Sequence, residues 1–246
     1  MSTQLDTTRN VSAKIANEII ITNTKVEHAK YCYALQQACF PTLVPTEWIT
    51  EAQILNHLRL FPEGQFVAID KGSGNVIGMT AGFRTHFDFA HTHGHTYLEF
   101  TSNCWFTRHN SRGSYYYGAD MSVHPDYRGL GIARKFHDAR KAMCKRLGLK
   151  GQVVCGMMPG YAEHKHAMKP DRYVHGVIAG RLYDSTLTTQ LRNDFRAHKL
   201  IAGYVQDAPT DGWAVLLEWP NPDYVHYQLP QPYTGFASWP GVEKGI

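Results

Sequence analysis

Residues 114–148 restrict the possible folds more than any other part of the sequence, because they predict a strand, a glycine turn and a helix in direct succession. SYYYGADMSV is typical of a strand, HPDYRG of a turn, and the residues up to Gly148 of an amphipathic helix. The first N–H groups of a helix have no intrahelical partner and favour anions. With Arg128 and Arg134 beside them, the segment predicts a binding site for a pyrophosphate.

Other phosphate-binding loops match this turn less well. A Walker loop needs GxxxxGK[ST], and no Lys-Ser/Thr pair follows Gly131. A dinucleotide-binding fold needs GxGxxG after its first strand, whereas Gly129 and Gly131 lie deep in the chain. One structural alternative stays open, which is an ordinary strand–helix turn with a glycine cap and a basic helix that faces solvent.

Composition excludes several classes of protein. The chain has 246 residues, of which 43% are hydrophobic and 12% aromatic, which is too apolar for a disordered chain. No apolar run approaches the roughly 18 residues of a membrane span, and the polar start MSTQLDTTRN lacks the apolar core of a secretory signal. Five scattered cysteines without a CxxC pair are typical of a reducing compartment. We therefore expect a cytoplasmic protein that does not enter the membrane.

The order of the predicted elements, β-α-α-β-β-β-α-β-α-β-β, describes one mixed α/β layered domain over residues 18–219. Residues 1–17 are expected to form a disordered lead-in. Residues 220–246 alternate prolines with aromatic residues and predict an extended arm, which would suit the contact of a homodimer.

Two segments of this domain carry more specific expectations. The sequence TEWITEAQILNHLRL predicts a helix that opens at Thr46 and buries one apolar stripe, made of Trp48, Ala52, Leu55 and Leu58. Residues 84–114 are rich in His, Thr and Gly without clean periodicity, and predict a long excursion with one strand near 96–101.

The turn resembles the acetyl-CoA site of the GNAT N-acetyltransferase superfamily. The residues from Arg128 to Ala133 (RGLGIA) match its Q/R-x-x-G-x-G/A signature, and Val-x-Pro-x-Tyr at 123–127 is the common lead-in. YGADMSVHPDYRGLGIARKFHDARK, GMMPGY, LYDSTLTTQLRNDF and LLEWPNPDY look like the acetyltransferase module often fused to a carbon–nitrogen hydrolase. Because the sequence stops at Ile246, we expect a stand-alone relative of that module.

The resemblance implies a fold and a set of binding residues. It implies a mixed, mostly antiparallel central sheet with helices on both faces, and acetyl-CoA as co-substrate. The strand ending at Val123 would separate from the next strand and admit the pantetheine arm, and the Val123 N–H would stabilise the oxyanion. The residues implied in CoA binding are Met121, Ser122, Val123, Arg128, Gly129, Leu130, Gly131, Ile132, Ala133 and Arg134.

The implied reaction is transfer of an acetyl or short acyl group to a primary amine of a small molecule or peptide, by direct attack. The attacking amine must be neutral, so a general base is needed. Asp120 is an acid in an otherwise apolar strand, Tyr117 lies nearer the position where some relatives keep a glutamate, and His124 is a further candidate. A water relay and a purely structural role for Asp120 stay open.

The general acid departs from the family pattern. Many relatives carry a Tyr four residues before a Gly-Phe in the late helix, whereas this chain has Gln190 and Asp194-Phe195 there. Tyr183 and Tyr161 are alternative acids. Since a thiol with a pKa of about 8.5 needs little help to leave, the missing Tyr does not exclude catalysis. A non-catalytic acyl-CoA sensor, acting through a partner such as a separate hydrolase, is the alternative function.

Other constellations predict less. His91, His93 and His95 could hold zinc with His86, His109 or Cys104, but no spacing fixes a closed site, and we expect no metal. The Tyr115–Tyr117 cluster lacks basic interleaving and predicts strand core. The charge of the basic helix is explained by the phosphates of CoA, so nucleic acid is not an expected partner.

Overall fold

A seven-stranded sheet with helices packed on both of its faces forms the part of the chain that the computed structural model describes, residues 18–90 and 96–225. The strands are β1 Ile19–Asn23, β2 Phe66–Asp70, β3 Val76–Thr85, β4 Tyr115–Val123, β5 Gly151–Met157, β6 Arg196–Ile201 and β7 Ala214–Pro220. The helices are α1 Ala29–Cys39, α2 Glu51–Leu60, α3 Tyr97–Thr101, α4 Ile132–Arg146, α5 Pro170–Ile178 and α6 Leu187–Arg192.

The strand order is β1-β2-β3-β4-β5-β7-β6, and only the pair β4–β5 is parallel. A parallel pair needs a crossover connection, and α4 provides it. This arrangement confirms the predicted fold class, a mixed and mostly antiparallel sheet between two helical layers. The predicted lead-in (1–17) and most of the predicted arm lie outside the described residues.

Each face of the sheet has its own apolar core. On one face the stripe of α4, including Ile132, Phe136 and Met143, packs with residues of α5 and α6. On the other face α1, α2 and α3 pack together with Phe83 and Tyr117 of the sheet. Fully burying one such side chain stabilises the fold by roughly 1.5–3 kcal/mol, so the two cores fix the sheet between the helices.

The central strand β4 leaves its neighbour β5 halfway along. The two strands pair only from Tyr115–Gly118 to Gly151–Val154. Beyond that point β5 continues to Met157 paired with β7, while β4 continues to Val123 paired with β3. The β3–β4 register also shifts at Ala81/Gly82, which leaves Ala119 as an extra residue and bends β4. The last residues of β4 and β5 therefore enclose an open wedge, which we call the splay.

Two local predictions were wrong. The predicted strand near 96–101 is helix α3, whose first turn is closed by Thr96 and Glu99 in a capping box. The helix predicted to open at Thr46 begins at Glu51, after a 3₁₀ turn over Pro45–Glu47, and Thr50 is its cap.

The buried face of α2 also differs from the predicted stripe. It consists of Gln53, Ile54 and His57, while Ala52 and Leu55 are exposed. Gln53 Nε2 donates to the Asn103 carbonyl at 2.9 Å, and His57 Nε2 lies 2.7 Å from the Cys104 carbonyl. Polar side chains face inward here because they pair with the backbone of the loop after α3.

In the described part of the chain, no helix has both the length and the apolar character that crossing a bilayer requires.

Candidate active site

In the splay, the backbone groups of β4 that face away from β3 have no neighbouring strand to pair with. The His124 N–H donates to Ile77 on β3 at 2.9 Å, and N–H groups alternate in direction along a strand. Met121 and Val123 therefore direct their N–H groups away from β3, to the side from which β5 has departed. Ser122 is the third residue predicted to pair with pantetheine. Its hydroxyl lies on the α1 side of the sheet, where it accepts a hydrogen bond from Gln36 Nε2 at 2.7 Å.

The glycine turn leads directly into α4. Gly129 and Gly131 have φ values of +80° and +77°, which other residues adopt only with strain. A Cβ atom on either glycine would meet no heavy atom within 4 Å outside the adjoining residues, so the space in front of the turn is open.

The N–H groups of this turn are mostly free. Those from Gly129 to Arg134 have no acceptor among the described residues, whereas Lys135 N–H already bonds to the Gly131 carbonyl. The N–H of Arg128 is engaged by the Pro125 carbonyl at 3.2 Å, so the row of free donors is one residue shorter than predicted. Consecutive free N–H groups at the start of a helix suit a pyrophosphate.

Arg128 closes the outer end of the splay. Its Nε donates to the Val123 carbonyl at 3.3 Å, and its Nη2 donates to the Cys39 carbonyl at 3.4 Å. Burial and the charge of Asp120 raise the pKa of the Cys39 thiol to about 12, although Arg128 and the Val123 N–H act to lower it. The predicted oxyanion donor, Val123, thus lies beside a thiol that stays neutral.

A cleft of about 350 Å³ lies between α4 and the end of α6, and it begins at Arg134 in the first turn of α4. Its walls carry three basic and two acidic side chains together with two polar ones: Arg134, Lys141, Arg192, Asp138, Asp194, Thr189 and Asn193. Lys141 pairs with Asp194 at 2.9 Å. The predicted phosphate-binding residue Arg134 therefore stands at the junction of the turn and a polar cleft.

Asp120 lies on β4 at the splay, with its side chain on the α1 face and only 8% exposed. Gln36 Nε2 donates to Oδ1 at 2.9 Å, and Ser122 Oγ donates to both carboxylate oxygens at 3.1 and 3.0 Å. Burial raises the pKa of Asp120 to about 6, while Gln36, Ser122 and the charge of Arg140 act to lower it. A carboxylate that changes charge near pH 6 is suited to general base catalysis.

Arg140 supports the bend of β4 from the opposite face. Although it projects from α4 it is only 1% exposed, and its Nη2 donates to the carbonyls of Ala81 (3.2 Å) and Asp120. Its guanidinium lies 5.3 Å from the centroid of the Tyr116 ring. A Cβ at Gly118 would approach Arg140 Nη1 to 2.6 Å, so a glycine is needed there.

The other candidate bases fit less well. Tyr117 is fully buried in the paired part of β4, and its hydroxyl lies 2.8 Å from that of Tyr204. Burial raises the pKa of Tyr117 well above its ordinary value, and a phenol that stays neutral cannot accept a proton. His124 caps the turn that precedes the glycines and accepts the Asp126 N–H at 3.3 Å, as a turn residue does.

At the position of the family's acidic Tyr, Gln190 lies against β5. Its Oε1 is buried and has no hydrogen-bond partner within the described residues. A Cβ at Gly156 would approach this oxygen to 2.2 Å, so the side chain reaches β5 beyond the paired region. Of the alternative acids, Tyr161 donates to the Met168 carbonyl at 3.0 Å and Tyr183 is 65% exposed.

The structure describes only some of the residues that were considered as ligands of a metal ion. His91, His93 and His95 lie outside the described residues. Over residues 18–90 and 96–225, no group of three or more His, Cys, Asp or Glu side chains is placed to hold a metal ion.

Sequence reasoning missed Gln36 and Arg140. Each is a polar residue within the buried stripe of an amphipathic helix, Gln36 between Cys32 and Cys39 of α1, and Arg140 between Phe136 and Met143 of α4. A polar residue in such a stripe must find a buried partner, and that interruption is the signal that would have identified both.

Comparison with known proteins agrees with this geometry. Residues 29–159, more than half of the chain, match the family described as Acetyltransferase (GNAT) family. The Bacillus subtilis (strain 168) protein named "Uncharacterized N-acetyltransferase YkwB" is 30% identical over 192 residues, which cover 78% of this chain and 84% of that protein. The chain belongs to the acetyltransferase (GNAT) family.

A second relative is much longer than this chain. "Probable hydrolase YhcX" of Bacillus subtilis (strain 168) is 33% identical over 234 residues, which cover 95% of this chain but 44% of that protein. The chain therefore spans less than half of that relative's length. This relation agrees with the resemblance to an acetyltransferase module that is joined to a hydrolase.

Among solved structures, the GphF GNAT-like decarboxylase in complex with isobutyryl-CoA has a TM-score of 0.70 at 21% identity. The match covers 82% of this chain and 98% of that one. At this identity the likeness shows a shared fold alone.

Proposed function

We propose that this chain transfers an acetyl or short acyl group from CoA to a primary amine by direct attack. The observation that carries the proposal is the splay between β4 and β5, which opens beside the free N–H groups of the glycine turn. These two features together accommodate an elongated, partly peptide-like ligand that ends in phosphates.

The residues present fit CoA in three places. The N–H groups from Gly129 to Arg134 would hold the pyrophosphate. Met121 would pair with an amide of the pantetheine arm, as a neighbouring strand would. The cleft between α4 and α6 would take the charged adenosine portion. When bound, acetyl-CoA supplies an activated acyl group on a thiolate leaving group.

Asp120 would serve as the base. Its carboxylate is ionised above pH 6 or so, and would take the proton that the amine must lose to form the new C–N bond. The Val123 N–H would donate a hydrogen bond to the carbonyl oxygen as negative charge develops there. The C–S bond breaks, and the thiolate leaves without an assigned acid because its thiol has a pKa of only about 8.5.

The test is release of free CoA thiol from acetyl-CoA in the presence of a panel of primary amines, with the acylated product identified by mass spectrometry. We expect amine-dependent thiol release in at least one member of the panel. Tight acetyl-CoA binding without turnover across the panel would instead support the sensor, which the missing family Tyr at Gln190 makes the natural alternative.

Asp120→Asn identifies the base within the same assay. We expect kcat to fall by about 10²–10⁴-fold, the usual contribution of a general base, with acetyl-CoA affinity unchanged. Asp184→Asn is the matched control, because the Asp184 carboxylate is also buried but accepts from the Tyr173 hydroxyl and from backbone N–H groups, including that of Gly160, and not from Gln36 or Ser122. Equal loss in both variants would show that Asp120 acts through the fold rather than as a base.

A further inference from the structure

Gln36 lies at the point where α1, the segment before α2 and the splay meet. Its side chain is 1% exposed. The amide nitrogen donates to Asp120 Oδ1 at 2.9 Å and to Ser122 Oγ at 2.7 Å. The amide oxygen accepts the N–H of Ile49 at 3.4 Å.

We propose that Gln36 is a positioning residue of the transfer reaction, which holds the Asp120 carboxylate ionised and fixes its orientation at the splay. The proposal rests on the proposed function, in which Asp120 is the base. It assigns a role in the reaction to a helix that carries no part of the CoA signature.

The hydrogen bonds of Gln36 can be satisfied in only one orientation. A backbone N–H can only donate, so Ile49 requires the oxygen of the amide and turns its nitrogen towards Asp120. Both amide hydrogens then point at β4, one to Asp120 and one to Ser122, while the Ser122 hydroxyl donates its own hydrogen to the carboxylate. Every nearby donor therefore stabilises the charged form of Asp120.

The other charged and titratable groups around Asp120 do not change charge near pH 6. Arg140 reaches the Asp120 backbone from the opposite face through its guanidinium group. The remaining groups are thiols and phenols whose pKa is raised mainly by burial. The pKa rises to about 12 for Cys32, Cys39 and Tyr116. It rises to about 11 for Cys104 and well above its ordinary value for Tyr97. A titration near pH 6 at this site therefore reports on Asp120.

Gln36→Met tests the role, because methionine keeps the length of the side chain and removes the donor. The carboxyl titration of Asp120 would be followed by ¹³C NMR in the free protein, with the resonance assigned from Asp120→Asn. We expect the midpoint to rise by about one to two pH units, the usual strength of a hydrogen bond to a charged group. The acid limb of kcat/KM should move with it, giving about 10- to 100-fold lower kcat/KM at pH 5.

Gln65→Met is the matched control. Gln65 is also buried, at 3% exposure, and bonds to the carbonyls of Phe61 and Gly82 but not to Asp120. We expect the same midpoint as in wild type. Equal midpoints in wild type and Gln36→Met would overturn the proposal, as would equal shifts in both methionine variants. If Gln36→Met does not fold, Gln36→Asn, which withdraws the amide by one methylene, replaces it with the same expectation.

The two readouts separate this proposal from the function on which it rests. The NMR titration needs no substrate, so it reports on the contact with Asp120 even if no amine is acylated. A shifted titration with an unmoved acid limb would show that Asp120 is not the base, and would overturn the role of Gln36 in the reaction. Shifts in both readouts support it.

Discussion

At the scale of single residues, Asp120 shows how opposing interactions bring the pKa of one buried carboxyl close to neutral pH. Burial alone raises its pKa, because the charged form loses its hydration. The donors of Gln36 and Ser122 and the charge of Arg140 act in the opposite direction. The result, a pKa of about 6, keeps the carboxylate charged at neutral pH yet still able to take up a proton.

This balance predicts a pH-dependent stability. The folded pKa of about 6 exceeds the ordinary 3.8, so Asp120 stabilises the fold below pH 4 and that contribution is lost as the pH rises through 6. The loss amounts to about 3 kcal/mol. Urea unfolding of wild type and Asp120→Asn between pH 4 and 8 measures it. We expect the free energy of unfolding of the variant, relative to that of wild type, to increase as the pH rises. A difference in stability that does not depend on pH would contradict this.

At the scale of elements, the bend of β4 depends on α4. Arg140 donates to the carbonyls of Ala81 and Asp120, which are register partners directly beside the extra residue Ala119. Without a donor from α4, two buried carbonyls at the bend would lack this partner. The helix that carries the glycine turn at its start therefore also supports the strand that carries the proposed base.

Arg140→Met tests this support. We expect the free energy of unfolding to fall by about 2–4 kcal/mol, because buried carbonyls lose a charged donor. We also expect the pKa of Asp120 to rise, because the charge of Arg140 lowers it. Urea unfolding and the ¹³C titration of Asp120 measure the two effects. A variant as stable as wild type would show that the bend does not need the arginine.

Sequence patterns predicted the elements whose burial follows one simple period. The strand SYYYGADMSV, the glycine turn and the helix after it lie where they were predicted. The face of α2 was not predicted, because Gln53 and His57 turn inward to reach the carbonyls of Asn103 and Cys104. A pattern of apolar residues contains no information about backbone groups that another segment leaves to be paired.

The short helix α3 was mistaken for a strand for a related reason. It has five residues, too few to show a helical period, and a capping box at Thr96 closes its first turn. Ser102, directly after it, has a φ of +54°. Asn103, Cys104 and Phe106 also have positive φ values, in the left-handed region. The loop is stabilised by contacts to α2, which the local sequence does not show.

At the scale of the whole molecule, two loops that are distant in sequence join over the face of the sheet that carries α1. Asp207, in the loop between β6 and β7, accepts the Thr42 hydroxyl at 2.6 Å and the Thr210 N–H at 3.0 Å. Glu47 accepts the Gln206 N–H with both oxygens, at 2.9 and 3.0 Å. Two buried carboxylates thus tie the α1–α2 connection to the β6–β7 loop.

Asp207→Ala should loosen this tie. The hydroxyl of Thr42 and the N–H of Thr210 would lose a charged acceptor, so we expect faster hydrogen exchange in residues 202–213 and lower stability by about 1–3 kcal/mol. Exchange in β3 and β4 should stay as in wild type, which serves as the internal control. Unchanged exchange in the loop would show that the carboxylate does not hold it.

The candidate site has one part that lies in a single stretch of sequence and another part that depends on contacts between distant segments. The residues that the resemblance implies in CoA binding lie within one stretch, 121–134, so a short motif is enough to propose them. The network of Asp120 combines Gln36 with Ser122, residues that only the folding of α1 onto β4 brings together. Contacts between distant segments leave no motif, and they are the part that the structure adds.

Calorimetric titration of acetyl-CoA into wild type, Gly131→Trp and Gly148→Trp tests most directly whether the glycine turn holds the acyl-CoA. Gly148 is the matched control, because it also has a positive φ, +60°, and open surroundings. It lies beyond the other end of α4, a helix about 22 Å long. We expect wild type and Gly148→Trp to bind and folded Gly131→Trp to lose binding. Folded wild type that does not bind, or Gly131→Trp that binds equally well, would contradict the assignment of the site.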